Sequence, residues 1–183
     1  GEMSYQKDIS QVNICISYNG KEYGNKDRIY NDIAANVIGG SMSSRLFQEI
    51  REKKGLAYSV YTYNQYYNKG GVISTYIGTN IENYKDAVKI TLNEFKKLKE
   101  KGITKFELQK AKNKYLSKIA FSMENPRSRM SILGNYFTRK GKILNIEDLK
   151  EEIKAVNLEK INNYLNKEFL EPNITILGNI KGR

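Results

Sequence analysis

Few side chains in this sequence could carry out catalysis by themselves. The chain has no histidine, which excludes Ser-His-Asp and Cys-His catalysis, imidazole metal ligands and the usual general base near neutral pH. The single cysteine, Cys15, excludes an internal disulfide and a zinc site built from several thiolates. No glycine-rich phosphate-binding motif occurs, and a Ser-x-x-Lys match at Ser4 to Lys7 lies at a terminus that we expect to be frayed. Catalysis by this chain alone is therefore not expected.

Arg51 and Tyr58 are the pair of side chains whose types and spacing could contribute to chemistry. They are separated by seven positions in REKKGLAY, with Gly55 between them. The pattern places Arg51 at the end of a helix and Tyr58 at the start of a strand, so a tight turn could bring both toward one point. A guanidinium and a phenol hydroxyl can hold a peptide carbonyl and stabilise negative charge that develops on it. A structural alternative stays open here, because an arginine at a helix end usually lies on the surface and a strand tyrosine usually packs in a core.

The segment that contains this pair, Gly39 to Val60, has the sequence GGSMSSRLFQEIREKKGLAYSV. It resembles the signature of the second, non-zinc half of the insulinase-like (M16) metallopeptidases, which include pitrilysin and the mitochondrial-processing-peptidase-like enzymes. Weaker similarity extends to the strand at Gln11, the hairpin at Gly70-Gly71, the helix start at Thr104–Glu107 and the segment Asn173–Gly178, so the resemblance covers nearly the whole chain. One departure is Ser41, where relatives often have a third glycine.

The resemblance implies that this chain is one part of a peptidase. It implies that Arg51 and Tyr58 reach across a cleft, bind the peptide substrate and assist catalysis by stabilising the oxyanion. Independently of the resemblance, Gly39, Gly40 and Ser41 are candidates for a flexible turn that contacts the substrate, although a helix stop explains these residues equally well. The chain is expected to be the half of a zinc metalloendopeptidase that binds the substrate and closes the chamber. This half is expected to be inactive when it is alone.

The resemblance further implies a division of labour between two halves. This chain is expected to hold no metal or other cofactor, and zinc is expected on an N-terminal half or a partner subunit that carries the His-x-x-Glu-His motif. The expected partners are that zinc-bearing half and a peptide substrate. A catalytically silent partner subunit and a basic binding or interaction module remain as alternatives.

Composition is typical of one globular domain over residues 1–183, with residues 1–3 interpreted as the artificial end of an excised piece. A hydrophobic content of 39% with 14 tyrosines allows a sizeable core. The net charge of +11 raises nucleic acid or an acidic membrane surface as partners. Because lysines and glutamates are interleaved along the predicted helices, we interpret the charge as a solvated surface and expect neither partner. The lack of a signal or spanning segment suggests a cytoplasmic location.

The order of predicted elements indicates the fold class. Strands are predicted over 11–18, 57–67, 71–79 and 173–177, and helices over 27–38, 43–53, 82–99, 104–123, 125–141, 147–154 and 158–168. In the first strand, Val12, Ile14 and Ile16 share one face and Cys15 lies on the other. Because strands come first and last with helices between them, we predict an α+β fold. In it, helices cover one face of a mainly antiparallel sheet, and the resemblance implies the same architecture, that of an M16 metallopeptidase or LuxS-like half.

Overall fold

A computed structural model describes residues 1–180, which form two compact units. The sheet unit comprises Gly1–Ile103 and the segment from Glu159 onward, and the helical unit comprises Thr104–Leu158. The single domain expected over residues 1–183 stays a prediction, and residues 181–183 lie outside the described part.

The strands of the sheet unit are β1 (Glu2–Gln6), β2 (Val12–Gly20), β3 (Ala57–Tyr67), β4 (Gly70–Thr79) and β5 (Asn173–Gly178). They form one sheet in the order β1-β5-β2-β4-β3. Strand β2 pairs antiparallel with β4 and β5, β3 pairs antiparallel with β4, and β1 runs parallel to β5. The predicted mainly antiparallel sheet is confirmed. The prediction of a frayed N-terminus is wrong. Strand β1 adds an edge strand to the sheet, and the Gly1 ammonium donates to the Pro172 carbonyl at 3.0 Å.

The helices of the described part are α1 (Arg28–Gly39), a π-helix (Phe47–Glu52), α2 (Tyr84–Lys101), α3 (Lys105–Glu124), α4 (Pro126–Lys140), α5 (Ile146–Ala155) and α6 (Leu158–Leu165). None of them, within residues 1–180, combines the length and the apolar content that a bilayer crossing requires.

The core of the sheet unit lies between one face of the sheet and its helices. From the sheet, Ile14, Ile16 and Ile77 are fully buried, and α2 contributes the fully buried Leu98. An aromatic cluster joins the layers, with the ring of Tyr18 on β2 4.6 Å from that of Phe95 on α2 and 5.4 Å from that of Phe169, centroid to centroid. The alternation that predicted the first strand therefore correctly identified its buried face.

Local capping signals fix the starts of the helices in the helical unit. Thr104 accepts from the Glu107 N–H at 3.2 Å while the Glu107 carboxylate accepts from the Thr104 N–H at 2.8 Å, which is the predicted capping box. Asn125 accepts from the Ser128 N–H at 3.0 Å and Pro126 occupies the first turn of α4. None of the residues of α4 is buried.

Candidate functional site

Arg51 lies on the π-helix, one residue before its end. The helix predicted over 43–53 therefore adopts the π form at this point, since the Lys53 N–H donates to the Gln48 carbonyl, five residues back, at 2.9 Å. Such turns are rare and frequently occur at functional sites. Ile50 is fully buried and anchors the helix, whereas the Arg51 side chain is exposed.

Phe47 is a contact of Arg51 that sequence reasoning missed. The guanidinium carbon lies 4.9 Å from the centroid of the Phe47 ring, within the range of a cation–π interaction. The spacing of four positions on a helix was the available signal, because side chains at that spacing are neighbours. Phe47 thus restricts the orientation of the guanidinium.

A tight turn follows Arg51. Gly55 has a φ of +60°, a left-handed conformation that favours glycine. The Gly55 N–H donates to the Arg51 carbonyl at 3.1 Å, and the Leu56 N–H donates to the Ile50 carbonyl at 2.8 Å. The Thr79 hydroxyl donates to the Leu56 carbonyl. The turn is therefore tied to the π-helix on one side and to the end of β4 on the other.

Tyr58 is the extra residue of a β-bulge. Ala57 pairs with Thr79 and Ser59 pairs with the adjacent Gly78, which leaves Tyr58 between the two pairs. The Ala57 side chain is buried, whereas Tyr58 is 69% exposed. A bulge reorients side chains relative to the regular strand. It explains why this strand tyrosine lies on the surface rather than in the core.

Arg51 and Tyr58 therefore lie on the two sides of one anchored turn, and both are exposed. The convergence of the guanidinium and the hydroxyl on one carbonyl stays a prediction, as do their roles in catalysis. Two clefts of about 410 and 400 Å³ occur elsewhere on the sheet unit. Residues of α6 contribute to the lining of both clefts, together with several lysines, and neither cleft is lined by Arg51 or Tyr58.

The segment Gly39-Gly40-Ser41 has clear structural reasons for its composition. Gly39 is buried and approaches β3 so closely that a Cβ would lie 2.3 Å from Thr62 Oγ1. Gly40 ends α1, where its N–H donates to the Asn36 carbonyl at 3.2 Å. Packing and helix termination account for both glycines, and a substrate contact at Gly39, Gly40 or Ser41 stays a prediction.

Gly39→Ala is expected to lower the free energy of unfolding by about 1–3 kcal/mol, the usual cost of overpacking. The added methyl group would also lie 2.7 Å from the backbone nitrogen of Thr62, an atom that cannot move aside as a flexible side chain can. Gly134→Ala on α4 is the matched control, because its Cβ would enter open space, and it should stabilise by about 0.5–1 kcal/mol. Urea unfolding followed by circular dichroism measures both. An unchanged unfolding midpoint for Gly39→Ala would show that the approach is not tight.

The side chains of this chain do not fit a zinc site. Zinc sites are built mainly from histidine and cysteine with some carboxylates, and the sequence has no histidine and one cysteine. Within the described residues, no group of three or more His, Cys, Asp and Glu side chains could hold a metal ion. No chemical step on this chain is therefore assigned to a bound zinc.

Comparison with known proteins identifies the family. The family described as "Peptidase M16 inactive domain" matches residues 3–115, which is more than half of the chain. The chain belongs to the M16 peptidase family. Among relatives of this M16 chain, the uncharacterized zinc protease YmxG of Bacillus subtilis (strain 168) is 37% identical over 171 residues, which are 93% of this chain and 42% of the relative. An uncharacterized zinc protease of Rickettsia felis is 33% identical over 92% of this chain and 41% of its own length.

Solved structures share the fold of this M16 chain. A protease from Helicobacter pylori superposes with a TM-score of 0.86 at 19% identity, over 97% of this chain and 43% of that protein. A peptidase M16 inactive domain from Pseudomonas fluorescens superposes with a TM-score of 0.84 at 22% identity, over 97% of this chain and 42% of that one. The predicted α+β fold is confirmed. The chain spans about two fifths of the length of the curated relatives that it matches.

Proposed function

We propose that this chain is the non-zinc half of an M16 peptidase, which binds peptides and closes the chamber around them. The zinc-bearing half is the N-terminal part of the same polypeptide or a partner subunit. Arg51 and Tyr58 bind the carbonyl of the bond to be cleaved and stabilise the negative charge that develops on its oxygen. One observation carries the proposal: Tyr58 is displayed by a bulge directly after the anchored turn from Arg51, inside an M16 inactive domain.

The geometry of the turn supports this chemistry. Donors directed at a carbonyl oxygen assist catalysis when they bind the charged transition state more tightly than the neutral substrate. Their effect is greatest when they are held in place before the reaction, so that little reorganisation is needed. Phe47 restricts Arg51, and the hydrogen bonds at Gly55 and Leu56 fix the backbone between the two donors. The backbone that carries the two donors is therefore held in place before the reaction.

Exposed apolar side chains support the presence of a further protein surface. Helix α4 has no buried residue, yet its Met130 and Phe137 are exposed hydrophobic side chains, and Ile143 after it is also exposed. Met130 and Phe137 are seven positions apart and so lie on the same side of the helix, where exposed apolar side chains can contact another protein. The helical unit is therefore a candidate surface for contact with the zinc-bearing half.

The chain purified without a histidine tag is expected to contain far less than one zinc per molecule and to hydrolyse no peptide above the blank. The reason is that it has no imidazole and only one thiol. Metal analysis by mass spectrometry and a fluorogenic peptide assay measure the two quantities. About one tightly held zinc per chain, or hydrolysis that a chelator abolishes, would contradict the proposed division between the halves.

A further inference from the structure

The outer face of the sheet, opposite the buried face of β2, has no charged side chain along three neighbouring rows. The middle row crosses all five strands and consists of Tyr61, Tyr76, Cys15, Thr175 and Met3. The rows on either side of it consist of serine, tyrosine, asparagine, glycine and leucine residues. This is unusual in a chain with 28% charged residues, because charged side chains normally occupy the surface. The lack of charge in these described rows indicates contact with a neutral partner.

Three tyrosines form a fixed cluster on this face. The ring centroid of Tyr61 lies 5.1 Å from that of Tyr76 and 5.9 Å from that of Tyr63. The Tyr76 hydroxyl donates to Asn13 Oδ1 at 2.6 Å. Tyr61 is 49% and Tyr63 37% exposed, so both rings are packed against neighbours and still present area to the solvent. Partial burial is the main cause that raises the pKa of Tyr63, and the nearby Cys15 and Tyr61 raise it further.

The composition of this face indicates what kind of partner it fits. A permanent interface has a strongly hydrophobic core that resembles a protein interior. This face instead combines tyrosine with serine and asparagine, the mixture found in binding surfaces that form reversible, adaptable contacts. Tyrosine supplies rigid contact area at a small entropic cost together with one hydrogen-bonding group. An extended peptide offers the complementary chemistry, because its main chain is neutral and carries both donors and acceptors.

We propose that the tyrosine face, defined by Tyr61, Tyr63 and Tyr76 and their neighbours in the three rows, binds extended peptide segments. It contacts the peptide main chain and its apolar side chains and does not select for charge. This inference rests on the proposed function, since it identifies the surface with which the same half holds its substrate. Tyr61 lies three residues after Tyr58 on β3, about 10 Å along the strand at the usual rise per residue. A bound segment of a few residues can therefore extend from the face to the Arg51–Tyr58 turn.

The double variant Tyr61→Thr/Tyr63→Thr is expected to weaken peptide binding by about tenfold or more, because it removes two exposed aromatic rings from the contact surface. Threonine is chosen because it favours strands. The probe is an unstructured 15-residue peptide with blocked ends, no charged side chain and an uncharged fluorophore, and fluorescence anisotropy on the 183-residue chain measures the Kd. Phe106→Ala is the matched control, since Phe106 is 74% exposed on the helical unit, and it should leave the Kd unchanged.

Salt dependence separates this site from general attraction by the net charge of +11. Attraction between exposed charges is screened by salt, so the Kd for the neutral peptide should change less than about twofold between low and high salt. An unchanged Kd in a double variant with normal circular dichroism would overturn the proposal. A preference for acidic peptides that disappears in high salt would also overturn it. If the double variant unfolds, the single variant Tyr61→Thr provides the test, with an expected loss of about threefold.

Kinetics of the enzyme that contains both halves separate this inference from the proposed function. Changes on the tyrosine face should raise KM and leave kcat nearly unchanged, because the contacts are equal in the substrate and transition-state complexes. If changes on the tyrosine face shift KM but Tyr58→Phe has no effect, only the proposed role of the Arg51–Tyr58 pair is contradicted. If changes on the tyrosine face leave KM unchanged while Tyr58→Phe has a strong effect, only the proposed peptide binding by the tyrosine face is overturned. Weaker association of the halves at unchanged KM would show that the zinc-bearing half covers this face, which also overturns the proposal.

Discussion

Tyr58→Phe is expected to lower kcat/KM for peptide cleavage by about a hundredfold in the enzyme that contains both this chain and its zinc-bearing half. A loss of this size is usual when one hydrogen-bond donor to an oxyanion is removed. The change deletes one hydroxyl and keeps the ring. Because Tyr58 is largely exposed, folding and zinc content should be unchanged. Since the lost hydrogen bond is strongest in the transition state, kcat should fall in step with kcat/KM. Steady-state kinetics with a fluorogenic peptide measure both constants.

Matched variants isolate the effect of position. Tyr67→Phe removes a hydroxyl from another exposed tyrosine of β3 and should leave the kinetics unchanged. Arg51→Ala should reduce kcat/KM about as strongly as Tyr58→Phe, and Arg51→Lys should recover only part of the loss, because lysine lacks the planar fork of donors. Wild-type kinetics for Tyr58→Phe in a well-folded enzyme would make the tyrosine architectural. The role implied by the family resemblance would then fail at that residue.

Elements with strong local signals were predictable from the sequence. Both ends of β3 were correct, because alternating tyrosine, valine and threonine residues are bounded by turn residues. The start of α3 followed from the capping box at Thr104 and Glu107. Strand β1 could not be predicted in this way, because its pairing partner β5 lies at the other end of the chain and its own residues are all exposed. A strand of that kind depends on long-range pairing more than on its local sequence.

The residues of the candidate site were proposed from the sequence and their roles stay predictions, whereas the geometry around them came only from the structure. The family resemblance pointed to Arg51 and Tyr58, but the π-turn and the bulge that display them are small irregularities set by tertiary packing. The close approach of Gly39 to Thr62 likewise depends on the packing of α1 against β3. The tyrosine face could not be predicted from the sequence for a related reason. The alternating tyrosines of β3 were visible, but the alignment of uncharged residues across five strands required the register of the sheet.

The central claim is that this chain completes a peptidase whose zinc lies on another half. The most direct test adds the chain to the purified zinc-bearing half while peptide hydrolysis is followed. Hydrolysis should rise with each addition and level off near one chain per zinc-bearing half. The rate at saturation should exceed the rate of the zinc-bearing half alone by at least about a hundredfold, because in the proposed function this chain supplies the carbonyl donors and positions the substrate. The Tyr58→Phe chain should bind equally well and restore only a small part of the rate. A zinc-bearing half that cleaves the peptide as fast alone as with this chain would contradict the claim.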